Sequence, residues 1–365
     1  MDLKDIRHSI DIIDYEIVSL LNRRMECALR LKRLKSKVVE TSREQEVIEH
    51  VRNYSRNLLE PDFTERLYTA IIAESRRVQQ ESPKVIGFQG EHGAYSEMAA
   101  QLCGEDLITI PCAAFQDVFS EVETGQLDLG ILPAENSLEG AVTEVNDLLV
   151  ETALHIVGEA RIPVHHCLLA LPGTDHRTLR SVYSHPQALA QCRGFIARSN
   201  LEAKPFYDTA GAARMLRKER PPVTAVIASR LCADLYNLEI VQEDIEDHAS
   251  NATRFVVLSK EPSHEEGNKC SIIFSLTHRA GELFGMLKIF SDRGINITRI
   301  ESRPLRSDPG AYAFFLDFEG SDRDTRVIEA LDAAKERSKV FTFLGCYVAA
   351  TEKFQASKFQ TIPNE

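Results

Sequence analysis

The chain has 365 residues, of which 43% are hydrophobic, and a formal net charge of −12 at pH 7. This length and apolar content predict two or three domains, each able to bury a core. The acidic balance argues against a nucleic-acid partner, and no apolar run approaches the ~18 residues that a membrane span needs. The N-terminus, MDLKDIRHS, lacks the apolar stretch of a signal peptide, so we expect a cytoplasmic protein.

The eight cysteines are scattered along the sequence, and no CxxC pair occurs among them. In a cytoplasmic protein, cysteines with this spacing are typically reduced and buried. The pattern therefore predicts neither a disulfide framework nor a metal site.

Residues 1–80 contain no glycine and one proline, and their apolar residues recur at helical spacing. This pattern predicts an all-helical segment. Within the first helix, Arg24 occupies a position of the apolar seam that runs from Leu3 to Leu34. Lys35 follows three turns later on nearly the same face, about 16 Å from Arg24. The two cations are therefore predicted to converge on one small anion.

Arg7 precedes Arg24 by about 25 Å along a helix and by roughly 100° around its axis. One straight helix therefore cannot bring both side chains to the same small ligand. The apolar seam is also too long for two short companion helices to cover. Both observations predict an antiparallel dimer in which the partner chain contributes Arg7. The alternative is that these residues are ordinary surface charges of a helical bundle.

From Lys84 onward, short β-rich runs alternate with helical stretches, which is typical of an α/β fold. The polar segment from Lys260 to Lys269 predicts a linker. After it, the pattern strand, helix, strand, strand, helix, strand fits residues 271–348 and predicts a ferredoxin-like unit.

Polar motifs stand where predicted strands end or predicted helices begin. Open α/β sheets bind ligands at such positions, and helix N-termini attract carboxylates. Taken singly, each motif is more typical of a turn or a helix cap than of a catalyst, so their joint order and spacing carry the interpretation. The motifs are GFQGEHGAYS (87–96), PAENS (133–137), YSHPQALAQC (183–192), NATRF (251–255) and ESRP (301–304).

On the first four of these motifs, residues 84–262 resemble prephenate dehydratase over its full length. Residues 270–350 resemble an ACT regulatory domain through the segments GELF (281–284) and INITRIESRP (295–304). Residues 1–80 resemble the all-helical type of chorismate mutase through LLNRRMECALRLKRLK, ETSREQEV and IIAESRRVQ. The chain is thus identified as similar to the bifunctional chorismate mutase/prephenate dehydratases. This resemblance implies a multidomain fold with an all-α mutase, an α/β two-lobed, periplasmic-binding-protein-like dehydratase and an α+β ferredoxin-like ACT domain.

The mutase resemblance implies a set of substrate contacts and a reaction without proton transfer. The enzyme has only to fold a dianion into its reactive chair and stabilise charge on the breaking ether oxygen. Guanidinium groups would hold the carboxylates, Lys35 and Gln79 would donate to the ether oxygen, and Glu44 would accept from the ring hydroxyl. The implied residues are Arg7 of the partner chain, Arg24, Lys35, Glu40, Arg43, Glu44, Ser75 and Gln79.

The dehydratase resemblance makes Thr253 the catalytic threonine, which would donate its hydrogen to the departing hydroxyl group. A threonine is a poor acid by itself, so neighbouring groups are expected to polarise it or relay the proton, namely Asn136, Ser184 and Gln191. Arg254 is a candidate clamp for a substrate carboxylate, with a structural salt bridge as the alternative, and Glu135 is a candidate for orienting the network. We expect His165 and His166 to be packing or surface residues.

The ACT resemblance implies an allosteric phenylalanine site at an interface between paired domains, and hence a homodimer or higher oligomer. Glu282 and Phe284 replace smaller apolar residues that are usual in the family, and we expect them to weaken binding without abolishing it. The implied contacts are Gly281, Glu282, Leu283, Phe284, Asn296, Glu301, Ser302, Arg303 and Pro304.

The function implied by the resemblance is conversion of chorismate to prephenate and of prephenate to phenylpyruvate, CO₂ and water, with feedback inhibition by L-phenylalanine. Neither reaction needs a metal or an organic cofactor. Two alternatives remain open. One is a dehydratase that prefers arogenate, the amino counterpart of prephenate. The other is a non-catalytic amino-acid sensor, against which the Thr253 motif and the Arg24 and Lys35 pair argue.

Overall fold

The computed structural model describes residues 3–34, 41–54, 58–305 and 311–350. The chain divides into two compact units, residues 1–84 and residues 85–365. Within the described residues, no helix is both long enough and apolar enough to cross a membrane.

The described part of the first unit is helical, as predicted. Helix α3 packs against both of the others, and Pro61 occupies its first turn, where a missing N–H costs nothing. The apolar seam of α1 is largely uncovered, with Leu3, Ile10 and Leu20 each at least half exposed. The helices are α1 (Leu3–Leu34), α2 (Thr41–Tyr54) and α3 (Pro61–Glu81).

The second unit begins with an α/β lobe, lobe 1, whose mixed sheet has the order β2-β1-β3-β11-β5, with β4 paired to β3. Its parallel core strands are almost fully buried, with Ile86, Phe88 and Ile131 at 0% exposure. The elements are β1 (Val85–Gln89), α4 (Tyr95–Leu102), β2 (Ile108–Cys112), α5 (Phe115–Glu123), β3 (Leu129–Asn136), β4 (Gly140–Ala141), α6 (Thr143–Glu151), β5 (His155–Pro163) and β11 (Ala252–Ser259).

The chain then builds a second α/β lobe, lobe 2, whose sheet has the order β10-β6-β9-β7-β8. It leaves lobe 1 after β5 and returns to it through β11, so two crossover segments, 164–166 and 243–251, join the lobes. The two-lobed fold is confirmed. The elements are β6 (Cys167–Ala170), β7 (Ser181–Ser184), α7 (Pro186–Gln191), α8 (Arg193–Arg198), β8 (Glu202–Pro205), α9 (Thr209–Glu219), β9 (Thr224–Ala228), α10 (Arg230–Tyr236) and β10 (Glu239–Gln242).

The last part of the second unit is a four-stranded antiparallel sheet of order β13-β14-β12-β15 with two helices, which confirms the ferredoxin-like prediction for the described residues. Its core is rich in phenylalanine and is centred on Phe274, Phe290 and Phe318. The elements are β12 (Lys269–Ser275), α11 (Glu282–Ser291), β13 (Ile297–Pro304), β14 (Tyr312–Glu319), α12 (Thr325–Arg337) and β15 (Val340–Tyr347).

The ferredoxin-like sheet packs against lobe 1 through β15 and β5. The approach is closest at Gly345, where an added Cβ would lie 2.2 Å from the carbonyl oxygen of Ile156. The φ of Gly345 is +148°, and the pairing of β12 with β15 shifts register next to it, as in a β-bulge. Glycine is therefore required at the point where the two sheets meet.

Candidate active sites

In the first unit, Arg24 on α1 meets the polar face of α3 that the i,i+4 spacing of Ser75 and Gln79 predicts. The guanidinium group of Arg24 donates a hydrogen bond to the hydroxyl group of Ser75. Gln79 Nε2 donates to the carbonyl oxygen of Ala28 at 2.7 Å, which leaves the second N–H of this amide for a further acceptor. Ser75 and Gln79 are each 7% exposed. The structure therefore brings Arg24, Ser75 and Gln79 together along α1 and α3.

Other predicted mutase residues lie apart from this group. Glu44 accepts a hydrogen bond from Arg76 Nε at 2.7 Å, and Arg43 pairs with Glu46 at 2.9 Å on the surface. Arg7 lies near the opposite end of α1 from Arg24. Lys35 and Glu40 lie outside the described residues.

A cavity of about 590 Å³ lies between α2 and α3, and its lining includes Glu44 and Arg76. Arg24, Ser75 and Gln79 are not part of that lining. The described helices of one chain thus hold the predicted mutase residues in separate groups.

In the second unit, strand pairing places Asn136 opposite Thr253. These residues are direct partners in the antiparallel register of β3 and β11, and Asn136 Nδ2 donates to Thr253 Oγ1 at 3.0 Å. Their exposed fractions are 7% and 9%. Strand β3 extends through its polar motif as far as Asn136, and β11 already begins at Ala252 within the second motif. Backbone pairing, and not loop geometry, therefore fixes the distance between the two side chains.

The orientation of the Asn136 amide follows from its backbone partners. Asn136 Oδ1 accepts from the backbone N–H groups of Leu138 at 2.9 Å and Glu139 at 3.2 Å, and a backbone N–H can only donate. Asn136 Nδ2 must therefore face Thr253 Oγ1 and also Asn251 Oδ1, to which it donates at 2.8 Å. Since Thr253 Oγ1 accepts this bond, its own hydrogen points elsewhere and can be donated to a substrate.

Gln191 reaches this network from lobe 2, at the end of α7. Gln191 Oε1 accepts from Asn251 Nδ2 at 3.1 Å, and Gln191 Nε2 donates to Glu139 Oε1 at 3.0 Å. The network thus joins both lobes across the cleft. The structure brings together three of the four residues that the sequence assigns to the dehydration step, namely Thr253, Asn136 and Gln191.

Ser184 lies outside this network. Its side chain is fully buried, and its hydroxyl group donates to the carbonyl oxygen of Ile227 at 2.6 Å, which ties β7 to β9 within lobe 2. This contact secures the sheet, and the structure does not bring Ser184 to Thr253.

Arg254 and Glu135 face away from Thr253, and this corrects the expectation of a carboxylate clamp. Successive strand residues point to opposite faces of a sheet, so Thr253 and Arg254 cannot line one cleft. Arg254 Nε donates to Glu159 at 2.6 Å, and Arg254 Nη1 donates to Asp317 of the ferredoxin-like sheet at 2.6 Å. Glu135 pairs with Arg299 at 3.2 Å on the same side. Arg254 is thus a buried structural cation.

The pKa of Asp317 shows that its carboxylate is coupled to the charges of the neighbouring arginines. Burial alone would raise the pKa of Asp317, but the neighbouring charges of Arg254 and Arg299 hold this pKa below its usual range. The carboxylate therefore stays ionised and fixes Arg254 between lobe 1 and the ferredoxin-like sheet.

His166 contacts the site, contrary to the expectation of a packing or surface residue. It is 2% exposed, and its Nε2 lies 2.8 Å from Gln191 Oε1. Burial lowers the pKa of His166, so the imidazole is held neutral. His165, by contrast, is exposed and pairs with Glu246 at 2.7 Å. No local sequence signal marks His166, because its position at a crossover between the lobes is evident only from the fold.

A cavity of about 100 Å³ lies at the start of α11 in the ferredoxin-like part, next to Gly281, which has a φ of +85°. Glu282 and Leu283 line it, together with Tyr312 of β14. Arg337 Nη2 donates to Glu282 Oε2 at 2.9 Å, so the extra carboxylate is already paired with a cation. Phe284 is 70% exposed and is not part of the lining, so in one chain it does not reduce the room in this cavity.

The second predicted phenylalanine-binding segment, from Glu301 to Pro304, lies on β13 beside this cavity. Pro304 pairs with Tyr312 of the cavity lining. Arg303 turns the other way and donates to Asp147 Oδ1 of α6 in lobe 1 at 3.1 Å. Asn296 precedes β13, and its carbonyl oxygen accepts from the N–H of Glu319 at 2.9 Å. Residues from Glu301 to Pro304 do not line the cavity of one chain.

Comparison with known protein families identifies the segments in order. The family model for chorismate mutase type II matches residues 6–80, the model for prephenate dehydratase matches residues 86–263, and the ACT domain model matches residues 271–336. Both activities that these domains carry are therefore present in the chain, which excludes a non-catalytic sensor.

Similar proteins support the same order of domains. A bifunctional chorismate mutase/prephenate dehydratase from Neisseria gonorrhoeae is 35% identical over 94% of this chain and 96% of its own length. Arogenate dehydratase/prephenate dehydratase 2 from Arabidopsis thaliana is 42% identical over 73% of each chain.

Among solved structures, prephenate dehydratase from Arthrobacter aurescens in complex with L-Phe is 32% identical, with a TM-score of 0.68. The match covers 74% of this chain and 91% of that one. The matched domains, their order and the full-length similarity to the Neisseria enzyme lead to one assignment. The chain belongs to the family of bifunctional chorismate mutase/prephenate dehydratases that carry a C-terminal ACT domain.

Proposed function

We propose that residues 1–80 convert chorismate to prephenate, that residues 84–262 convert prephenate to phenylpyruvate, and that L-phenylalanine bound through residues 270–350 inhibits the second reaction. The observation that carries the proposal is the Asn136 to Thr253 hydrogen bond, which leaves the threonine hydrogen available at the cleft between the lobes. Both reactions take place in the cytoplasm.

The dehydration step needs one well-placed donor. Loss of CO₂ leaves its bonding electron pair in the ring while the ring hydroxyl departs, and the gain of aromaticity drives both bond cleavages. Thr253 donates its hydrogen to the departing oxygen, so the hydroxyl leaves as water, and solvent returns the proton to the threonine. The amide of Asn136 stabilises the charge that develops on Thr253 Oγ1 during this transfer. Removing one such donor typically costs about 10²- to 10³-fold in kcat.

The test of the dehydratase proposal follows chorismate through both products. Purified protein should convert chorismate to phenylpyruvate, and Thr253→Ala should stop at prephenate with chorismate consumption intact. Thr253→Ser, which retains the hydroxyl group, is the matched control and should keep most of the activity. If Thr253→Ala still produced phenylpyruvate at the wild-type rate, the proposed role of Thr253 would be wrong.

For the mutase, Arg24, Ser75 and Gln79 form the binding edge that one chain supplies, and Arg7 completes the site from a second chain. Arg43, Glu44, Lys35 and Glu40 are assigned to the same site. The support for a dimer is the uncovered seam of α1, because an exposed apolar stripe of this length marks an interaction surface. The seam residues exposed by 43% or more are Leu3, Ile6, Ile10, Ile13, Ile17, Leu20, Leu31 and Leu34.

A preference for arogenate is the second candidate for the dehydratase. It is favoured by the 42% identity to the Arabidopsis enzyme, whose name includes both substrates. Arogenate carries an amino group where prephenate has a keto group. The ratio of kcat/KM for the two substrates, measured on the same preparation, decides between them.

For regulation, phenylalanine is proposed to bind beside Gly281, Glu282 and Leu283, with segment 301–304 of a second ACT domain closing the site. The support is the cavity at the start of α11 and the Arthrobacter relative that was solved with L-Phe. The contact of Arg303 with Asp147 offers a route from the effector segment to lobe 1. The protein would then be a homodimer or higher oligomer.

The regulatory proposal is tested by calorimetric titration of phenylalanine into the full-length protein, alongside dehydratase rates. Binding and inhibition are linked, so both should appear at the same concentrations. Asp147→Asn is expected to retain binding while inhibition weakens, because it removes the charge that Arg303 contacts. If millimolar phenylalanine produced neither heat of binding nor inhibition, the ACT domain would have a structural role only.

A further inference from the structure

The side chain of His166 sits at the crossover between the two lobes, and each of its ring nitrogens lies within hydrogen-bond distance of a polar side chain. His166 Nδ1 lies 2.9 Å from the hydroxyl group of Tyr95 on α4, and His166 Nε2 lies 2.8 Å from Gln191 Oε1 on α7. Its backbone N–H donates to Glu246 Oε2 at 2.9 Å. His166 therefore connects lobe 1, lobe 2 and the second crossover, and it does so next to the residues that hold Thr253.

The direction of every bond in this chain of side chains follows from fixed ends. The backbone N–H groups of Leu138 and Glu139 fix the amide of Asn136, which then donates to Asn251 Oδ1. Asn251 Nδ2 must consequently donate to Gln191 Oε1. Because Gln191 Oε1 can only accept, the hydrogen of His166 must lie on Nε2.

The Gln191 side chain selects that tautomer, and Tyr95 does not, because the one hydrogen of the Tyr95 hydroxyl group is donated to the carbonyl oxygen of His165 at 2.5 Å. The opposite tautomer would place a lone pair against Gln191 Oε1. Gln191 would then have to turn its amide, which would direct an N–H at the N–H of Asn251 and its oxygen at the carboxylate of Glu139. The Nδ1–H tautomer of His166 would therefore break the hydrogen bonds of Gln191 to Asn251 and to Glu139 together.

We propose that His166 is a positioning residue for dehydration, in which its Nε2–H group fixes the amide of Gln191 so that Asn251 and Asn136 hold Thr253 towards the substrate. This proposal rests on the proposed role of Thr253. His166 does not touch the reacting atoms, and its effect passes through three amides. Loss of its donor should therefore lower kcat more than it changes KM.

The experiment compares His166→Leu with His166→Gln in full-length protein supplied with prephenate. Glutamine presents an N–H close to the position of Nε2, whereas leucine has no donor. His166→Leu should lower kcat about 5- to 30-fold, with KM within about twofold of the wild type. His166→Gln should recover most of that loss. Equal kcat values for wild type and His166→Leu, or no recovery with glutamine, would overturn the proposal.

A double-mutant cycle with Gln191→Met separates positioning from a general loss of packing. If His166 acts through Gln191, adding His166→Leu to Gln191→Met should cause no further loss of kcat. Full additivity of the two losses would show that His166 acts independently, and the proposal would fail.

The ¹⁵N resonances of His166 in the wild-type protein decide the question if His166→Leu does not fold. A neutral imidazole with its hydrogen on Nε2 supports the proposal. A hydrogen on Nδ1 only, with the Tyr95 oxygen as its acceptor, overturns it. Thr253→Ala is measured in the same series. If it stays active, the assignment of Thr253 fails, whereas an inactive Thr253→Ala beside a fully active His166→Leu refutes only the role of His166.

Discussion

Thr253 and Arg254 are neighbours on β11, and the alternation of side chains along a strand gives them separate tasks. Thr253 joins the amide network at the cleft, while Arg254 is held by Glu159 and Asp317 and by the hydroxyl group of Tyr347 at 2.9 Å. A sequence motif written as Asn-Ala-Thr-Arg-Phe does not reveal this division. It follows from strand periodicity once β11 is known to continue through the motif.

Replacing Arg254 tests whether it is structural. Arg254→Met should lower the free energy of unfolding by up to about 3–5 kcal/mol, because the buried Asp317 and Glu159 would each lose their closest cation and keep only Arg299 and Lys269. Arg230→Met, which removes an exposed ion pair with Glu243, is the control and should change stability by less than about 1 kcal/mol. Urea unfolding followed by circular dichroism measures both, since the chain has no tryptophan. If Arg254→Met had wild-type stability and a raised KM for prephenate, Arg254 would instead be a clamp for a substrate carboxylate.

The pH dependence of stability provides a second test of this cluster. Since the folded-state pKa of Asp317 lies below its usual value of 3.8, its stabilising contribution is fully present above that value and is lost as pH falls through the folded pKa. The melting temperature of Asp317→Asn should therefore be lower than that of the wild type at pH 7, and the gap should narrow below about pH 4. Asp292→Asn, in an exposed pair with Lys288, should show little difference at any pH. A difference in melting temperature that stayed constant down to pH 3 would contradict the coupling of Asp317 to Arg254 and Arg299.

At the scale of elements, local patterns predicted the order of the folding units, whereas contacts between distant strands could not be read from the sequence. The all-helical segment, the alternating α/β segment and the ferredoxin-like order each follow from short-range periodicity. The register that places Asn136 opposite Thr253 joins residues far apart in the sequence. Gln191 arrives from the other lobe, and the role of His166 depends on both crossovers. Such contacts are set by tertiary packing, which leaves no local signal in the sequence.

The junction of β15 with β5 gives a prediction about one backbone position. Gly345→Ala should destabilise the second unit by about 1–3 kcal/mol, because its Cβ would overlap the carbonyl oxygen of Ile156 and the backbone must shift. Gly173→Ala, at a positive φ of +77° but with nothing within 4 Å of its added Cβ, separates conformational strain from overlap. Calorimetric melting of both variants measures the difference. Equal losses of stability in the two variants would show that the contact of Gly345 with Ile156 does not restrict the residue at position 345.

At the scale of the whole molecule, the two chemistries lie in separate compact units, whereas the dehydratase lobes and the ACT sheet share one unit. The buried bond of Arg254 to Asp317 and the partly buried bond of Arg303 to Asp147 join the ACT sheet to lobe 1. A change at the ACT sheet can therefore be transmitted directly to the strand that carries Thr253. In the first unit, by contrast, the apolar seam of α1 is largely exposed.

The need for a second chain at the mutase site can be tested by complementation. Arg7→Ala and Arg24→Ala should each lose mutase activity alone, since each removes a cation that we propose binds a substrate carboxylate. When the two variants are unfolded and refolded together, half of the sites in a mixed dimer contain both native arginines, so activity should partly return. The measurement is chorismate consumption by isolated heterodimers, with each refolded variant alone as the control. Inactive heterodimers would place Arg7 outside the site and leave the α1 seam as an interface without a catalytic contribution.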